Sequence, residues 1–398
     1  MIIASKVKKI EESQTMMITN KALELKENGK NILTLSAGEP DFITPKNIRK
    51  AAINSIKKGK TKYTPSDGIV ELKQAIKKKY SVEKKLEYQL NQIMVSTGAK
   101  QVIFNAFTSS LNKNDEILLP APYWVSYTEI AKLCEAKVKI LKTKIENDFK
   151  LDSKELEKSI NENTKWFILN SPCNPTGSIY SKEELKEISK VLLKYPKVHI
   201  LSDDIYEQIS FRKEKVCSIL EVEKKLKNRT LLVNGVSKAY AMTGWRIGFC
   251  VGPKNLINSM KVIQSHSTSN PTSISQYASI VALEGNQKYQ KKFTKIFKKR
   301  RNYICKLLTK IEGLYFIKPK GSFYVFVSIS NFINKKRHND TIIKNDNDFC
   351  LSLLEENGVA LVPGTAFGFK NYVRISFSVD KKIIKEACKN INEFCKSF

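Results

Sequence analysis

The chain has 398 residues, of which 41% are apolar and 27% charged, so it is long enough for two or three domains. This composition excludes a disordered chain and a collagen-like repeat. No apolar stretch approaches the roughly 20 residues that cross a bilayer, and the basic N-terminal sequence lacks the apolar region of a secretory signal. We therefore expect a cytoplasmic protein that has no membrane partner.

The charge of the chain is less ordinary, because 69 Lys and Arg residues against 39 Asp and Glu residues give +30. Such a charge can attract nucleic acid or other anions. The lysines are nevertheless spread along the chain, and the densest basic run, residues 298–301, lies in a helical pattern. The apolar residues of that pattern repeat on one face: Phe293, Phe297, Ile304 and Leu308. We interpret the charge as a solvated surface and expect no nucleic-acid partner.

The eight cysteines include no CxxC pair, and the chain has only three histidines. A structural zinc site needs closely spaced Cys and His ligands, so the sequence predicts no metal site. An even number of cysteines in a long chain without a signal is weak support for disulfides, and we expect reduced thiols. The scarcity of histidine also disfavours Ser-His-Asp chemistry.

Helical and strand-like patterns alternate through the first two thirds of the chain. Helices are predicted at 14–29, 46–58, 68–81, 100–110, 123–133 and 181–193. Short apolar strands are predicted at 93–96, 116–119, 137–141, 166–170, 199–202 and 231–233. Short apolar runs between helices are typical of parallel strands that are covered on both faces. The sequence therefore predicts one large α/β domain over residues 46–285.

The pattern changes from about residue 290. A long basic helix at 291–310 precedes strands at 324–328 and 373–377, a helix at 349–357 and a terminal helix. These elements predict a smaller α+β domain that consists of residues 286–398 together with 1–45. The polar segment 331–347 between them is predicted to be an exposed loop insertion.

Several polar residues follow predicted strands, where ligands of α/β proteins bind. Residues 96–100 (STGAK) end a strand and open a helix, so their N–H groups suit a phosphate, although such residues are also typical of a plain turn. In the segment 170–177 (NSPCNPTG), two prolines and a glycine restrict the backbone around Asn174. This amide could orient a ring hydroxyl or simply stabilise an Asx turn.

Charged residues also occur where solvated side chains are not expected. Asp203 and Asp204 end an apolar strand, and a buried carboxylate needs a partner, such as a cationic ring nitrogen or a helix N-terminus. Lys238 lies among small and apolar residues just past another strand. Burial there would lower the pKa of its amine and make it a nucleophile, unless the side chain extends to water. Arg246, close to two glycines, could bind a phosphate.

A lysine amine, an acid for a ring nitrogen, an amide for a ring oxygen and phosphate-binding groups are what a pyridoxal phosphate (PLP) site requires. The sequence resembles the class I and II aminotransferases of the fold-type I PLP enzymes, most closely the prokaryotic aspartate aminotransferase branch. The segments that carry the resemblance are, in chain order, SAGEPDF, KYTPSDG, STGAKQ, PYWVSY, NSPCNPTG, SDDIYE, NGVSKAYAMTGWRIG, GSFYVF, VPGTAFG and YVRISFS. The resemblance implies the α/β PLP-dependent transferase fold and a homodimer with shared active sites.

The resemblance also implies roles for single residues at the cofactor ring. Lys238 would carry the cofactor as an aldimine and, once released, move the proton of the substrate Cα. Asp203, rather than Asp204, would keep the ring nitrogen protonated. Asn174 and Tyr206 would donate hydrogen bonds to the ring oxygen, and Trp124 would stack on the ring.

The remaining implied roles concern the phosphate and the substrate. The phosphate would be held by Ala99, Ser237, Arg246 and the neighbouring subunit's copy of Tyr63. The substrate α-carboxylate would be bound by Gly38 and Arg374. Lys100, which lies beside the phosphate turn, would bind the side-chain carboxylate of the substrate, and Trp124 and Asn174 would also contact the substrate.

The branch implies ping-pong transfer of the amino group from L-aspartate to 2-oxoglutarate, which gives oxaloacetate and L-glutamate. The stretch 264–276, which corresponds to the one that carries an arginine in the animal-type branch, contains none. The resemblance to the prokaryotic branch implies that Lys100 binds the side-chain carboxylate instead. Prephenate activity is associated with a basic residue near position 11, where this chain has Glu11, so we do not favour it. Aromatic and alanine specificities stay open, as does a C–S lyase of the same fold.

Overall fold

The computed structural model describes residues 2–10, 12, 14–338 and 340–398. The strands are, in chain order, β1 (Leu33–Thr34), β2 (Ile93–Ser96), β3 (Glu116–Pro120), β4 (Lys137–Leu141), β5 (Thr164–Asn170), β6 (His199–Asp203), β7 (Thr230–Gly235), β8 (Gly248–Val251), β9 (Tyr315–Phe316), β10 (Tyr324–Ser328), β11 (Val359–Ala360), β12 (Val362–Pro363) and β13 (Tyr372–Ser376). The helices are α1 (Gln14–Glu27), α2 (Lys46–Lys57), α3 (Val70–Lys84), α4 (Ala99–Ser110), α5 (Ser126–Leu133), α6 (Ser153–Ser159), α7 (Lys182–Lys194), α8 (Ile219–Val222), α9 (Lys254–Ser265), α10 (Ser273–Glu284), α11 (Lys288–Leu308), α12 (Asp346–Asn357) and α13 (Lys381–Cys395).

The largest sheet has the strand order β2-β8-β7-β6-β5-β3-β4. Strand β8 runs antiparallel to both of its neighbours, and the other pairs in the sheet are parallel. Successive side chains of each strand enter different cores, as Leu118 packs in one apolar cluster and Ile117 and Leu119 in another. The predicted mostly parallel α/β sheet is therefore confirmed.

The register of this sheet brings three segments of the chain to one edge. Asn170 at the end of β5 pairs with Asp203 at the end of β6, and Asp203 pairs with Val233 of β7. Because parallel strands end at the same edge, the segments that follow them lie side by side. The carboxylate of Asp203 and the lysine after β7 therefore meet although they are far apart in sequence.

A second, antiparallel sheet of order β12-β13-β10-β9 packs with α11, α12 and α13 in the C-terminal part of the chain. The N-terminal helix α1 joins the same apolar core, and β1 pairs with β11. This arrangement is the smaller α+β part that the sequence predicts. The domain boundaries at 45/46 and 285/286 stay a prediction, because Ile205 and Phe211 of the large part also pack in this core.

Two expectations about exposed charged segments hold for some of their described residues but not for all of them. In the basic run 298–301, Arg300 and Arg301 are buried, whereas the two lysines are exposed. The segment 331–347 is not a wholly exposed loop, because Arg337 is buried and forms a two-bond ion pair with Glu356. Arginine can be buried in both places because its guanidinium finds fixed hydrogen-bond partners.

Within the described ranges, no helix is long and apolar enough to cross a membrane.

We predict that Leu118→Ala lowers the free energy of unfolding by about 2–5 kcal/mol, because it opens a cavity beside strand β3 in the apolar core. Leu118 is 0% exposed. The matched control is Leu193→Ala, at a side chain that is 37% exposed and should change stability by about 0.5 kcal/mol or less. Urea unfolding of both variants measures the difference, and equal losses would contradict the packing described here.

Candidate active site

A cavity of about 340 Å³ lies at the carboxyl edge of the large sheet, between this sheet and the smaller part of the chain. Almost all of the site residues that the sequence singles out line it: Gly38, Ala99, Lys100, Trp124, Asn174, Asp203, Tyr206, Ser237, Lys238, Arg246 and Arg374. Tyr63 is the exception, since its side chain is 93% exposed and lies outside the lining of the cavity.

Lys238 follows β7, is half-buried and lines the cavity. Its Nζ donates a hydrogen bond to the carbonyl oxygen of Gly38 at 2.6 Å. Burial lowers the pKa of this amine to about 8, and the positive charges of Arg374 and Arg246 act in the same direction. A substantial fraction of Lys238 is therefore neutral at a pH near 8, so the amine can act as a nucleophile or as a base.

The two neighbouring carboxylates after β6 have different surroundings. Asp203 lines the cavity and accepts hydrogen bonds from the Tyr127 hydroxyl at 2.7 Å and from the backbone N–H of Ile205 at 3.2 Å. Asp204 does not line the cavity, and its carboxylate accepts a hydrogen bond from the Ser202 hydroxyl. Burial raises the pKa of Asp203, so a cation beside it would relieve an unfavourable burial of charge.

Aromatic and amide groups line the space between Asp203 and the smaller part of the chain. The hydroxyls of Tyr206 and Tyr324 are 2.9 Å apart, and Tyr206 packs under the amine of Lys238. Trp124 lies edge-on to Tyr127, with ring centroids 5.4 Å apart. A flat ring in this space would meet an aromatic face, a carboxylate and hydroxyl donors.

Elsewhere in the cavity lining, the N-terminus of α4 lies beside Arg246. Gly98 has φ +83°, and a Cβ there would overlap the guanidinium of Arg246. A Cβ on Gly248 would overlap the backbone of Ala99. Glycine at both positions therefore lets the N-terminus of α4 lie close to the guanidinium of Arg246. A helix N-terminus beside a guanidinium is a suitable site for a phosphate. The pKa of Lys100 is lowered by partial burial and by the charge of Arg246, so an anion here would be favoured.

Arg374 of β13 supplies a buried guanidinium to the same cavity. It donates to the side-chain oxygen of Asn174 at 3.0 Å and to the carbonyl of Ser36 at 2.6 Å. Among the residues that the structure describes, none accepts a hydrogen bond from its buried Nε. The group therefore has donor capacity left for a carboxylate.

Some cavity residues had no role in the sequence analysis, in particular Tyr127, Tyr324 and Asn170. Each stands in a segment that the resemblance covers, but nothing in the local pattern distinguishes it from a core residue. The signal that could have found Asn170 is its position at the end of β5. Its side chain donates to the carbonyl of Asp203 and accepts from the N–H of Asn174.

The fold and the cavity together are those of an α/β enzyme of the group-transfer class, in which Lys238, Asp203, Arg246 and Arg374 line one cavity. The chain belongs to the family described as Aminotransferase class I and II, whose sequence model matches residues 30–391. The predicted family, its fold and its aminotransferase activity are thereby confirmed.

Individual relatives agree with this assignment. A protein of Rickettsia felis named "Probable aspartate/prephenate aminotransferase" is 49% identical over 396 residues, which cover 100% of this chain and 97% of the relative. The crystal structure of the aspartate aminotransferase from Rhizobium meliloti has a TM-score of 0.96 at 44% identity and covers 100% of this chain and 99% of its own. The Thermus thermophilus aspartate aminotransferase with maleate has a TM-score of 0.91 at 34% identity, with 98% and 99% covered.

We predict that Lys238→Met makes the cofactor-free protein more stable at pH 7, by up to roughly 3 kcal/mol, because it removes a buried cation. The pKa of Lys238 falls from 10.5 to about 8 on folding. At pH 7 the folded protein therefore holds a charged amine where burial and neighbouring cations disfavour the charge. Wild-type stability should therefore rise as the pH increases from 8 to 10.5, and the advantage of the variant should shrink over that window.

Urea unfolding of both proteins at pH 7 and pH 10 measures this difference. Lys298→Met, which removes an exposed charge on α11, serves as the control. A gain from Lys238→Met that is the same at both pH values would contradict the lowered pKa.

Proposed function

We propose that this aminotransferase binds PLP in the cavity and transfers the amino group of L-aspartate to 2-oxoglutarate. The observation that carries the proposal is the Lys238 amine in this cavity. Its pKa is lowered to about 8, so a substantial fraction of the amine is neutral at a pH near 8. Asp203 and Arg374 line the same cavity and both act on the charge of this amine. Bound PLP would supply an aldehyde for that amine and a ring that accepts electrons from the substrate Cα.

The donor set fits this cofactor at each of its parts. The N–H groups at the start of α4, with Ser237 and Arg246, suit the phosphate, and the glycines described above leave room for it. The carboxylate of Asp203 suits a protonated ring nitrogen, and a cation there would offset the burial that raises its pKa. Asn174 and Tyr206 would donate to the ring oxygen, and Trp124 would cover one face of the ring.

The residues of the chain divide the remaining work between them. Arg374 and Gly38 would hold the substrate α-carboxylate, because a guanidinium with a free donor faces the same cavity as the Gly38 backbone. Lys238, once it is free, would take the proton from the substrate Cα and return it. The low pKa of Lys238 favours this role, since the neutral amine is the form that accepts a proton.

Lys100 supports the choice of a dicarboxylic substrate. Its Nζ lies 5.1 Å from the ring centroid of Trp124, at the same cavity, and its pKa is lowered by burial and by Arg246. A carboxylate on the substrate side chain would restore a favourable charge balance there. Polar residues of the 264–276 stretch, such as Thr268, lie beside Lys100 in an adjoining pocket.

A homodimer with shared active sites is part of the proposal. Tyr63 is 93% exposed, which suits a side chain that reaches the phosphate site of a second subunit. Apolar side chains on α1 and α2 are also exposed, among them Met16, Leu23 and Ile53. Exposed apolar groups of this kind are typical of subunit interfaces.

Prephenate is a second candidate as the amino acceptor, because relatives at 48–50% identity carry aspartate/prephenate aminotransferase names. Like the dicarboxylic acids, prephenate has two carboxylates, which Arg374 and Lys100 could bind. The expectation against it rested on Glu11, which lies outside the described residues, and so it stays a prediction.

We predict that the purified protein, supplied with PLP, converts L-aspartate and 2-oxoglutarate to oxaloacetate and L-glutamate, and that Lys238→Ala abolishes turnover. A coupled assay of oxaloacetate measures the reaction, and absorbance of bound cofactor reports the covalent link to Lys238. A PLP-loaded protein that is inactive with aspartate would move the substrate to prephenate, aromatic or alanine donors, and pyruvate and ammonia as products would identify a lyase. A wild type that takes up no PLP would overturn the cofactor assignment.

We predict that Lys100→Met raises the KM for aspartate and 2-oxoglutarate by about tenfold or more and changes the KM for an aromatic amino acid much less. The reason is that the variant loses a charge-assisted hydrogen bond to the substrate side chain. Steady-state kinetics with both substrate classes measure the ratio, with Lys298→Met as the exposed control. Equal increases for both classes would refute the assignment of Lys100.

A further inference from the structure

A loop between β1 and α2, residues 35–45, connects the two parts of the protein at the active site. We call it the Gly38 loop, because the carbonyl of Gly38 accepts the hydrogen bond from Lys238 at 2.6 Å. The same loop supplies the carbonyl of Ser36 to Arg374 at 2.6 Å. Both groups that would meet the substrate α-carboxylate, Gly38 and Arg374, are therefore placed by the backbone of this loop.

The loop is also fixed to the segment that connects β7 and β8 in the large part of the protein. The Thr44 hydroxyl donates to the carbonyl of Ala241 at 2.5 Å and accepts from the indole N–H of Trp245 at 3.0 Å. Thr243 donates to the Glu39 carboxylate at 2.8 Å. These contacts attach the loop to the segment that carries Lys238.

The middle of the loop is fixed to α11 by a different set of contacts. The guanidinium of Arg300 donates two hydrogen bonds to the Asp41 carboxylate, both at 2.7 Å. Phe42 stacks on Phe293 of the same helix, with ring centroids 4.1 Å apart and planes 8° apart. Arg300 also lies over the ring of Phe42, at 5.1 Å from its centroid.

This ion pair has the geometry of a strong positioning contact. The Arg300 side chain is 7% exposed and that of Asp41 32% exposed, so water screens the pair only in part. Two parallel N–H···O bonds fix the direction of the carboxylate as well as its distance. Asp41 is three residues from Gly38, so a shift of this contact would move the Gly38 backbone.

We infer that Asp41 and Arg300 are positioning residues for the substrate α-carboxylate, which they align by holding the Gly38 loop against α11. The inference rests on the proposed function, because it assigns the α-carboxylate to Gly38 and Arg374. Neither Asp41 nor Arg300 is among the residues that line the cavity, so their effect on substrate binding would act through the position of the backbone. A purely structural pair would change stability and leave substrate binding unchanged.

The experiment compares Asp41→Asn with a matched control in the PLP-loaded protein. The control is Glu356→Gln, which disrupts a second two-bond ion pair, between Glu356 and Arg337, with bonds of 2.6 and 2.7 Å. The Arg337 side chain is 4% exposed, close to the value for Arg300. Arg337 lies in the 331–347 segment, none of whose described residues lines the cavity.

For Asp41→Asn, we expect the KM values for aspartate and 2-oxoglutarate and the dissociation constant of maleate to rise together by about tenfold, because a displaced backbone misaligns the bound carboxylate. The kcat should change by about twofold or less, and PLP content and absorbance should not change. Glu356→Gln should lower the melting temperature by about as much as Asp41→Asn does, and it should leave the KM values and the dissociation constant of maleate unchanged.

Arg300→Lys provides a second test that keeps the charge and loses the two-bond geometry. It should raise the same constants by a smaller factor, and it keeps the inference testable if Asp41→Asn does not fold. If Asp41→Asn and Arg300→Lys keep the wild-type constants, or if Glu356→Gln raises these constants equally, the inference is overturned. The proposed function would stand in that case, provided that the wild type binds PLP and maleate. A wild type that binds no PLP would overturn the proposed function, and this inference with it.

Discussion

The burial of one lysine amine among cations is the constraint on which the rest of the site depends. Lys238 has two arginines, Arg374 and Arg246, close enough to lower its pKa, and the carboxylates of Glu39 and Asp203 offset this only in part. An arrangement of this kind disfavours the protein without its ligands, because the excess of positive charge lies in a place that water reaches poorly. It favours anions near Arg246 and near Arg374, where we propose that the cofactor phosphate and the substrate α-carboxylate bind.

The sheet explains why a chain with few local signals assembles this site. The lysine, the carboxylate and the amide come from segments that follow neighbouring parallel strands, and the register of β5, β6 and β7 sets their separation. The arginine comes from β13 of the other sheet, and the Gly38 loop reaches it through the carbonyl of Ser36. The site therefore exists only where the two parts of the protein meet, and the contacts that hold these parts together also set its geometry.

The sequence was sufficient for the parts of the fold in which apolar periodicity is strong, such as β5 and the buried face of α11. It was insufficient for α10, which buries small and polar residues such as Ser275, Gln276 and Ala278 and so has no clear apolar face. The burial of Arg300 was missed for a related reason, because its partner Asp41 is more than 250 residues away and no local pattern connects the two. Within the site, residues that carry charge were found from the sequence, whereas Tyr127 and Tyr324 resemble core residues until Asp203 and Tyr206 are seen beside them.

The lysines of the chain also include both exposed and buried side chains. Lys79 and Lys84 of α3 are buried and form ion pairs with Glu207, at 2.8 and 3.2 Å, just behind the turn that carries Tyr206. These lysines hold the pKa of Glu207 below its usual range, while burial and the Glu207 charge raise that of Asp204. Burial and Glu207 therefore favour the neutral form of Asp204. Asp203 is the carboxylate of the two that lines the cavity, where a cation of a bound ligand could pair with it.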